Sequence, residues 1–350
     1  MPKPETRVSI KVTRSIDDIN PADWDALSND MPFQSHAWYR FGEKVMDDCE
    51  PVYVLAYRGN RLAGRASFWV IRSEPIPQYA GRWRAILKMV FSRYPLLICR
   101  SPLSNTSGVV IPSGEQERGE VLSKMIAAAF EMGRRRKCSL LLLDYLGKDP
   151  VFTRSLALSV MEVSNPGMSM KNRWDSFDGY LAGGGKKDRQ HYKRTLREAE
   201  KLNIKLAHSG CVENVDEVLP LIRSVERQHG APANPWIRSM LLNMQMVNGV
   251  FLTAVKDGKT VGCGLLLEDN NAQMAAALGL DSQVPYVYLM LVYEGIKTAL
   301  ERKNRLMRWG SGAYDVKRRL GFEPEDNALL AFAPVHPALR KLASLFARSG

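Results

Sequence analysis

Residues 250–303 read VFLTAVKDGKTVGCGLLLEDNNAQMAAALGLDSQVPYVYLMLVYEGIKTALERK, and this stretch decides the fold. Val250–Lys256 and Thr260–Glu268 are apolar runs on either side of Asp257 and Gly258, the signature of a β-hairpin. A third strand, Gln273–Leu280, feeds a helix at Tyr286–Lys303, and Leu306–Trp309 reads as the strand that follows it. Working outward, the same order stands in the first half. A hairpin (Val52–Tyr57, turn at Arg58–Arg61, Leu62–Ile71) is followed by a strand at Val109–Ile111, a helix at Glu115–Arg136 and a strand at Ser139–Asp144. Each hairpin is preceded by two helical segments. In the first half these are a helix opened by Asn20-Pro21 that carries Trp24 and Leu27, and Ser35–Met46; in the second they are Val215–Gln228 and Pro235–Val247. Further strands are expected at Val8–Val12 and Leu329–Val335. The duplication is one of element order, with no repeat of letters. It predicts an α/β (α+β) chain of two tandem domains, 1–165 and 166–350, each a mixed, mostly antiparallel sheet flanked by helices. The break is expected at Asn165-Pro166-Gly167, and one polar, basic helix over 175–202 connects the halves.

The 350 residues, 45% hydrophobic and 25% charged, describe an ordinary globular composition with chain enough for about two domains. Disorder, collagen-like repeats and a disulfide scaffold are excluded. The net charge of +12 is uneven. Residues 58–100 hold nine Arg and Lys against the single acid Glu74, and residues 186–205 hold eight against Asp188, Glu198 and Glu200. Two local basic surfaces carry the excess. The five cysteines (Cys49, Cys99, Cys138, Cys211, Cys263) are scattered and fit a reducing compartment. The first residues lack a signal-peptide core, and no run approaches the roughly 18–20 apolar residues of a membrane span. A cytoplasmic protein, peripheral on the inner face of the membrane at most, is the expectation.

Local motifs sharpen this. Trp24-Asp25-Ala26-Leu27 followed by Pro32-Phe33-Gln34-Ser35-His36-Ala37-Trp38 resembles the opening of FemAB-like and BioF2-like acyltransferases, built from two acetyltransferase-like (GNAT) domains. Trp174, Phe177, Tyr180 and Leu181, running into Lys186–Lys205, resemble that family's central helix, and Ser224–Pro235 its second-domain entry. The run from Trp309 to Pro324 (WGSGAYDVKRRLGFEP) matches the family's strand, glycine turn, Tyr-x-x-Lys and Gly-Phe. The resemblance implies N-acyl transfer, in which an amine attacks an activated acyl carbonyl and an amide forms. It also implies either an acyl-CoA or an aminoacyl-tRNA as co-substrate, with no permanently bound cofactor.

The residues weigh on the donor. Acetyltransferases of this fold cradle the CoA pyrophosphate on glycine-rich backbone N–H groups at a helix start. The corresponding junction here, Asp281-Ser282-Gln283-Val284-Pro285-Tyr286, has no glycine, and the first-half junction around Glu115 and Glu117 is acidic. The basic helix places Lys186, Lys193, Arg197 and Lys201 on one face with Lys187, Arg189 and Arg194 beside it, a surface for a phosphorylated donor. Tyr192 alone interrupts it, so no base-stacking platform for RNA is expected. DNA is not expected as a partner.

Amide formation needs a base, a carbonyl-polarising group and an acid for the leaving group. Glu268, at the end of a hairpin strand, is the candidate base; Tyr314 and Lys317, one turn apart, are candidates for the acid and the oxyanion or phosphate holder. Glu226 and His229 are spaced as an acid–base pair. The polar loop with Ser101, Asn105 and Ser107, together with Glu226 and Trp309, is the expected acceptor lining. A serine-hydrolase elbow, a Walker loop and clustered metal ligands are absent from the sequence. Residues 82–94 and 337–348 pair apolar stripes with cations and suit an anionic membrane surface.

The expected function is therefore an amide-forming acyltransferase acting on the amine of a lipid, such as a sphingoid-like amine, or of a cell-envelope intermediate. Acyl-CoA is slightly favoured as donor. A Fem-type aminoacyl-tRNA transferase acting on a peptidoglycan precursor and a catalytically inactive membrane or RNA tether stand as alternatives.

Overall fold

The computed structural model describes residues 7–74, 82–149, 151–152, 158–162 and 166–336; within 82–88 Ile86 is the one side chain described. The segment expected at 337–348 lies outside the described residues. Two compact units result, one of Met1–Pro166 with Asp326–Gly350, the other of Gly167–Glu325.

The first unit holds strands β1 (Val8–Thr13), β2 (Glu50–Arg58), β3 (Arg61–Ile71), β4 (Leu96–Cys99), β5 (Val109–Val110), β6 (Leu140–Leu146) and β7 (Ser159–Glu162), joined by the chain's last strand, β15 (Leu329–Pro334). They form one sheet in the order β1-β2-β3-β4-β6-β15-β7, with β5 beside β3. All neighbours are antiparallel except β4 and β6, which run parallel with Leu97 opposite Leu141. Helices α1 (Pro21–Ser28), α2 (His36–Val45), α3 (Arg82–Arg93) and α4 (Arg118–Arg135) complete the unit. Asn20 and Ser35 accept from the first-turn amides of α1 and α2, so both helices start where the sequence places them.

Alternation along β3 separates two faces. Ala66, Phe68 and Val70 join Val121, Leu122, Met125 and Ala129 of α4 in an apolar core. Arg65 faces the other way, into an aromatic layer with Trp24 of α1 and Tyr39 of α2.

The second unit repeats the plan with β8 (Met168–Lys171), β9 (Ile204–Ser209), β10 (Val250–Lys256), β11 (Lys259–Asp269), β12 (Ala272–Leu280), β13 (Leu306–Arg308) and β14 (Glu323–Pro324). The sheet order is β14-β8-β13-β12-β11-β10-β9, again with one parallel pair, β12 and β13. Its helices are α5 (Phe177–Gly183), α6 (Gly185–Lys201), α7 (Val215–Gln228), α8 (Ile237–Asn243), α9 (Val287–Glu301) and α10 (Tyr314–Arg319).

Three expectations change. The second domain does not run to residue 350, because β15 pairs with β6 and β7 of the first sheet. An apolar strand reads the same whichever sheet takes it, and here it covers the edge that β6 would otherwise expose. The helix expected over 175–202 is two helices, broken where Gly185 takes φ +87°, a conformation that glycine adopts without strain. The short strands β4, β7, β8, β9 and β14, two to six residues each, were not expected, because so short a run gives little periodic signal.

Tight approach at Gly108 closes the first sheet: a Cβ there would lie 2.5 Å from the Ser67 carbonyl oxygen and 2.7 Å from the Arg100 nitrogen. Both atoms are backbone and cannot rotate away. Gly108→Ala is therefore expected to lower the unfolding free energy by about 1–3 kcal/mol, measured by urea denaturation.

Candidate active site

In the second unit, β12 and β13 pair only at Ala272–Met274 and Leu306–Arg308, after which β12 continues to Leu280 without its parallel neighbour. A bulge between Leu265 and Leu266 bends the adjoining strand, and Ala275–Leu278 are half-buried, so the sheet opens here. Openings past the carboxyl ends of parallel strands are where α/β sheets bind ligands.

In the junction from β12 to α9 the Asp281 carboxylate turns back onto its own loop. The Asp281 carboxylate accepts from the Gln283 amide at 3.0 Å, and the Asp281 carbonyl accepts from Val284. Pro285 has no N–H, and Tyr286 enters α9 at φ +68° with no side-chain cap. The first-unit junction, between β5 and α4, is filled in a similar way. Glu115 is buried, accepting from Arg58 Nε at 2.7 Å and from Arg61 Nη2 at 2.6 Å, in a cleft of about 330 Å³ lined also by Pro112, Gly114 and Gln116. Burial alone would raise the Glu115 carboxyl, but the Arg61 and Arg58 guanidinium groups outweigh it and hold it below the usual range. At both places where a pyrophosphate would be cradled, the chain supplies its own carboxylate.

Lys317 is not a free cation. Its ammonium is buried and donates to the carbonyl oxygens of Trp309 and Gly310, both at 2.8 Å. It thereby fixes the turn between β13 and α10, and the expectation that it would hold a phosphate or oxyanion gives way to a positioning role. Burial lowers its pKa to about 8. Tyr314 is half-buried, and burial raises its phenol, although the Gly312 backbone opposes this. The phenol therefore stays protonated at neutral pH, as a general acid must. Trp309 packs in the core against Phe322 at 4.6 Å between centroids, so it does not line an acceptor surface.

Other expected roles also give way. Glu268 pairs with Arg302 at 3.0 Å beside the C-terminal end of α9. It stands opposite Gln273 at the start of β12, about 20 Å from the β12–α9 junction, which is too far for a base acting there. Glu226 is taken by Arg223 and by the Asn234 amide, while His229 is exposed at the C-cap of α7, so the two form no acid–base pair. Ser101 is buried with its hydroxyl donating to Phe33, the Ser107 hydroxyl accepts from Val109, and the Asn105 carbonyl accepts from Asn327. Of the three, Ser101 has its hydroxyl spent within the fold.

A different cluster emerges in the first unit at the carboxyl ends of the parallel pair β4 and β6. Arg100, just after β4, binds both oxygens of Glu74 at 2.8 and 2.6 Å, and Asp144, near the end of β6, lies 3.7 Å away. Two carboxylates around one guanidinium leave one negative charge, and Asp144 keeps 20% of its side chain exposed. Burial raises the Asp144 carboxyl above its usual range, with Arg100 opposing. Tyr145 follows at φ +53°, a strained conformation for an aromatic residue. A partly exposed anionic cluster with a carboxylate of raised pKa suits an ammonium that must be bound and then deprotonated. The one sequence signal was Glu74, the lone acid among nine cations.

Helix α6 presents Lys186, Lys187, Lys193, Arg194 and Arg197 to solvent, and among the described residues none of the five forms an ion pair. Lys201 pairs with Glu198, and Arg189 donates to the Ala182 carbonyl. The opposite face is anchored by Thr195 and Ala199, by Tyr192 against Tyr293, and by a His191–Tyr293 hydrogen bond at 2.9 Å. Among the described residues no cluster could hold a metal ion, and no helix is long and apolar enough to cross a membrane.

Comparison with known proteins places this geometry. A family model for FemAB-like proteins, described as peptidoglycan biosynthesis/recognition, matches residues 15–348. No curated protein matches the chain. Among solved structures, FemX is similar with 11% identity and a TM-score of 0.61, over 92% of this chain and 96% of its own. A tandem GNAT protein from the clavulanic acid biosynthesis pathway is similar with 14% identity and a TM-score of 0.59, over 95% and 99%. A conserved protein of unknown function from Bacteroides thetaiotaomicron is similar with 12% identity and a TM-score of 0.53, over 93% and 100%. The double acetyltransferase-like fold expected from the element order is the fold observed.

The Lys317 arrangement makes a stability prediction. Its folded pKa of about 8 lies below the 10.5 of a free lysine, so between these values the unfolded chain holds a proton that the folded chain has released. The unfolding free energy of the wild type, relative to Lys317→Met, should therefore rise with pH across that window by up to about 3 kcal/mol. Thermal or urea unfolding of both proteins at intervals from neutral pH to above 10 checks it.

Proposed function

Because the chain belongs to the FemAB-like family of acyltransferases, we propose that it transfers an aminoacyl group from an aminoacyl-tRNA to the amine of a peptidoglycan or other cell-envelope precursor. The observation that carries this reading is the pair of carboxylate-filled junctions. Asp281 and Glu115 place a carboxylate at each of the two strand–helix junctions, so a CoA pyrophosphate would meet like charge at either one. The unpaired cations of α6 favour a long polyanion instead, since each phosphate they neutralise releases counterions. The acyl-CoA reading, with a lipid or sphingoid-like amine as acceptor, rests on the open edge of β12 past Met274, which a slender thioester arm would fit.

The chemistry divides into two proton transfers. The acceptor enters as an ammonium, which the negative charge at Asp144, Glu74 and Arg100 attracts. Asp144 takes one N–H proton, the free amine attacks the ester carbonyl, and the C–N bond forms as the C–O bond to the ribose breaks, a second N–H proton passing to the leaving ribose oxygen.

Transfer should depend on intact tRNA: ribonuclease treatment should abolish product measured by mass spectrometry, while acyl-CoA should give none. Comparable transfer from acyl-CoA would overturn the donor assignment. Lys193→Glu with Arg197→Glu should raise KM for the charged tRNA and flatten its salt dependence by about one unit of log–log slope for each phosphate no longer neutralised. Asp144→Asn should lower kcat by about a hundredfold or more with KM for the donor unchanged. In the wild type, the acidic limb of the rate profile should rise with pH as the Asp144 carboxyl ionises, and this limb should be missing in Asp144→Asn.

A further inference from the structure

We propose that helix α3 is a membrane-docking element that sets the first unit on an anionic lipid bilayer. The connection between β3 and β4 is where the chain departs from necessity. Ile71 and Leu96 are directly paired antiparallel neighbours, which a hairpin loop of about two to five residues joins in most sheets. Residues 72–95 instead include α3, and the side chains of Ile86, Met89 and Val90 on it face outward. Met89 is 68% exposed, Ile86 42%, Val90 38% and the adjoining Tyr94 49%. Positions 86, 89 and 90 lie on one helical face, so these residues form a stripe rather than scattered exposures.

The helix is tied to the sheet and does not trail from it. Arg72, just past the end of β3, donates to the Ser92 carbonyl at 2.8 Å, and Ser92 in turn donates to the Met89 carbonyl. An apolar stripe held outward on a fixed helix needs a covering, and charge identifies what covers it. Residues 75–99 contain Arg82, Arg84, Lys88 and Arg93 and no acid. A protein surface apolar enough to cover the stripe would leave these cations without partners. An anionic bilayer supplies acyl chains for the stripe and headgroup phosphates for the cations at once. Tyr94, with Arg93 stacked 6.0 Å over its ring, has the amphipathic character of residues found at the headgroup level.

The test uses the full chain and vesicle flotation, with no turnover, so its outcome is independent of the donor and acceptor assignments. Vesicles of phosphatidylcholine alone are compared with vesicles containing about a third phosphatidylglycerol, the anionic lipid that supplies the surface potential. The wild type should float with the anionic vesicles, hardly with the neutral ones, and be released by high salt. Met89→Asp with Val90→Asp should weaken binding at least about tenfold, as expected for removing two apolar side chains from the interface. Lys88→Glu should weaken binding to anionic vesicles only. Circular dichroism and thermal unfolding of the variants should match the wild type, because the substituted residues are solvent-facing or lie on the outer helix. Absence of wild-type binding would overturn the proposal, as would undiminished binding by the double Asp variant. A wild-type dimer that Met89→Asp with Val90→Asp dissociates, with no vesicle binding, would replace the bilayer by a second copy of the chain.

Discussion

A cation can be buried only if something replaces the water it leaves, and each unit meets that constraint largely with neutral oxygens. In the first unit the Arg65 guanidinium is fully buried, with its carbon 3.6 Å above the Trp24 ring centre. It donates to the Ser28 hydroxyl and to both the carbonyl and the side-chain oxygen of Gln34. Gln34 itself donates to the Ser107 carbonyl and accepts from Tyr39, and its carbonyl also accepts from the Trp24 indole. One charge thus gathers α1, α2, β3 and the loop before β5. In the second unit Lys317 plays the same part for the turn after β13. Leaving either charge without its acceptors would cost several kcal/mol, so the surrounding backbone has few other arrangements available.

The same economy governs the anions. Glu115 and Asp281 occupy the two strand–helix junctions, each satisfied by donors of its own chain. Around Arg100, Glu74 takes the bidentate bond, while Asp144 stands 3.7 Å off and accepts from the Tyr145 amide. The net charge of +12 therefore resolves into distinct parts: structural guanidinium groups already paired, an unpaired face on α6, and the cations along α3.

Much of this was legible beforehand. The hairpins at Asp257-Gly258 and Arg58–Arg61, the long helices after the third strands, and the duplicated order follow from turn chemistry and hydrophobic period, which are local properties. The basic face of α6 and the acidic first junction were likewise readable, because helical spacing and charge need no tertiary information. The site was less legible. Tyr314 and Lys317 were found by motif, yet spacing could not show that the Lys317 ammonium turns inward to two carbonyls. Glu268 stands at the end of its strand as expected, but its pairing with Arg302 was not readable, since Arg302 is brought to it only by the packing of α9.

By itself, then, the sequence determined which segments become strands and helices, that the plan occurs twice, and where the positive charge accumulates. Tertiary structure alone decided which sheet received Leu329–Pro334, since an apolar strand satisfies any open edge that reaches it. It also decided which ionisable groups are spent and which remain available. Glu74, Arg100 and Asp144 are far apart in the chain, and only the parallel alignment of β4 with β6 brings the ends of those strands together. A charge acquires its role from the partners within a few ångströms, and those partners are chosen by the fold.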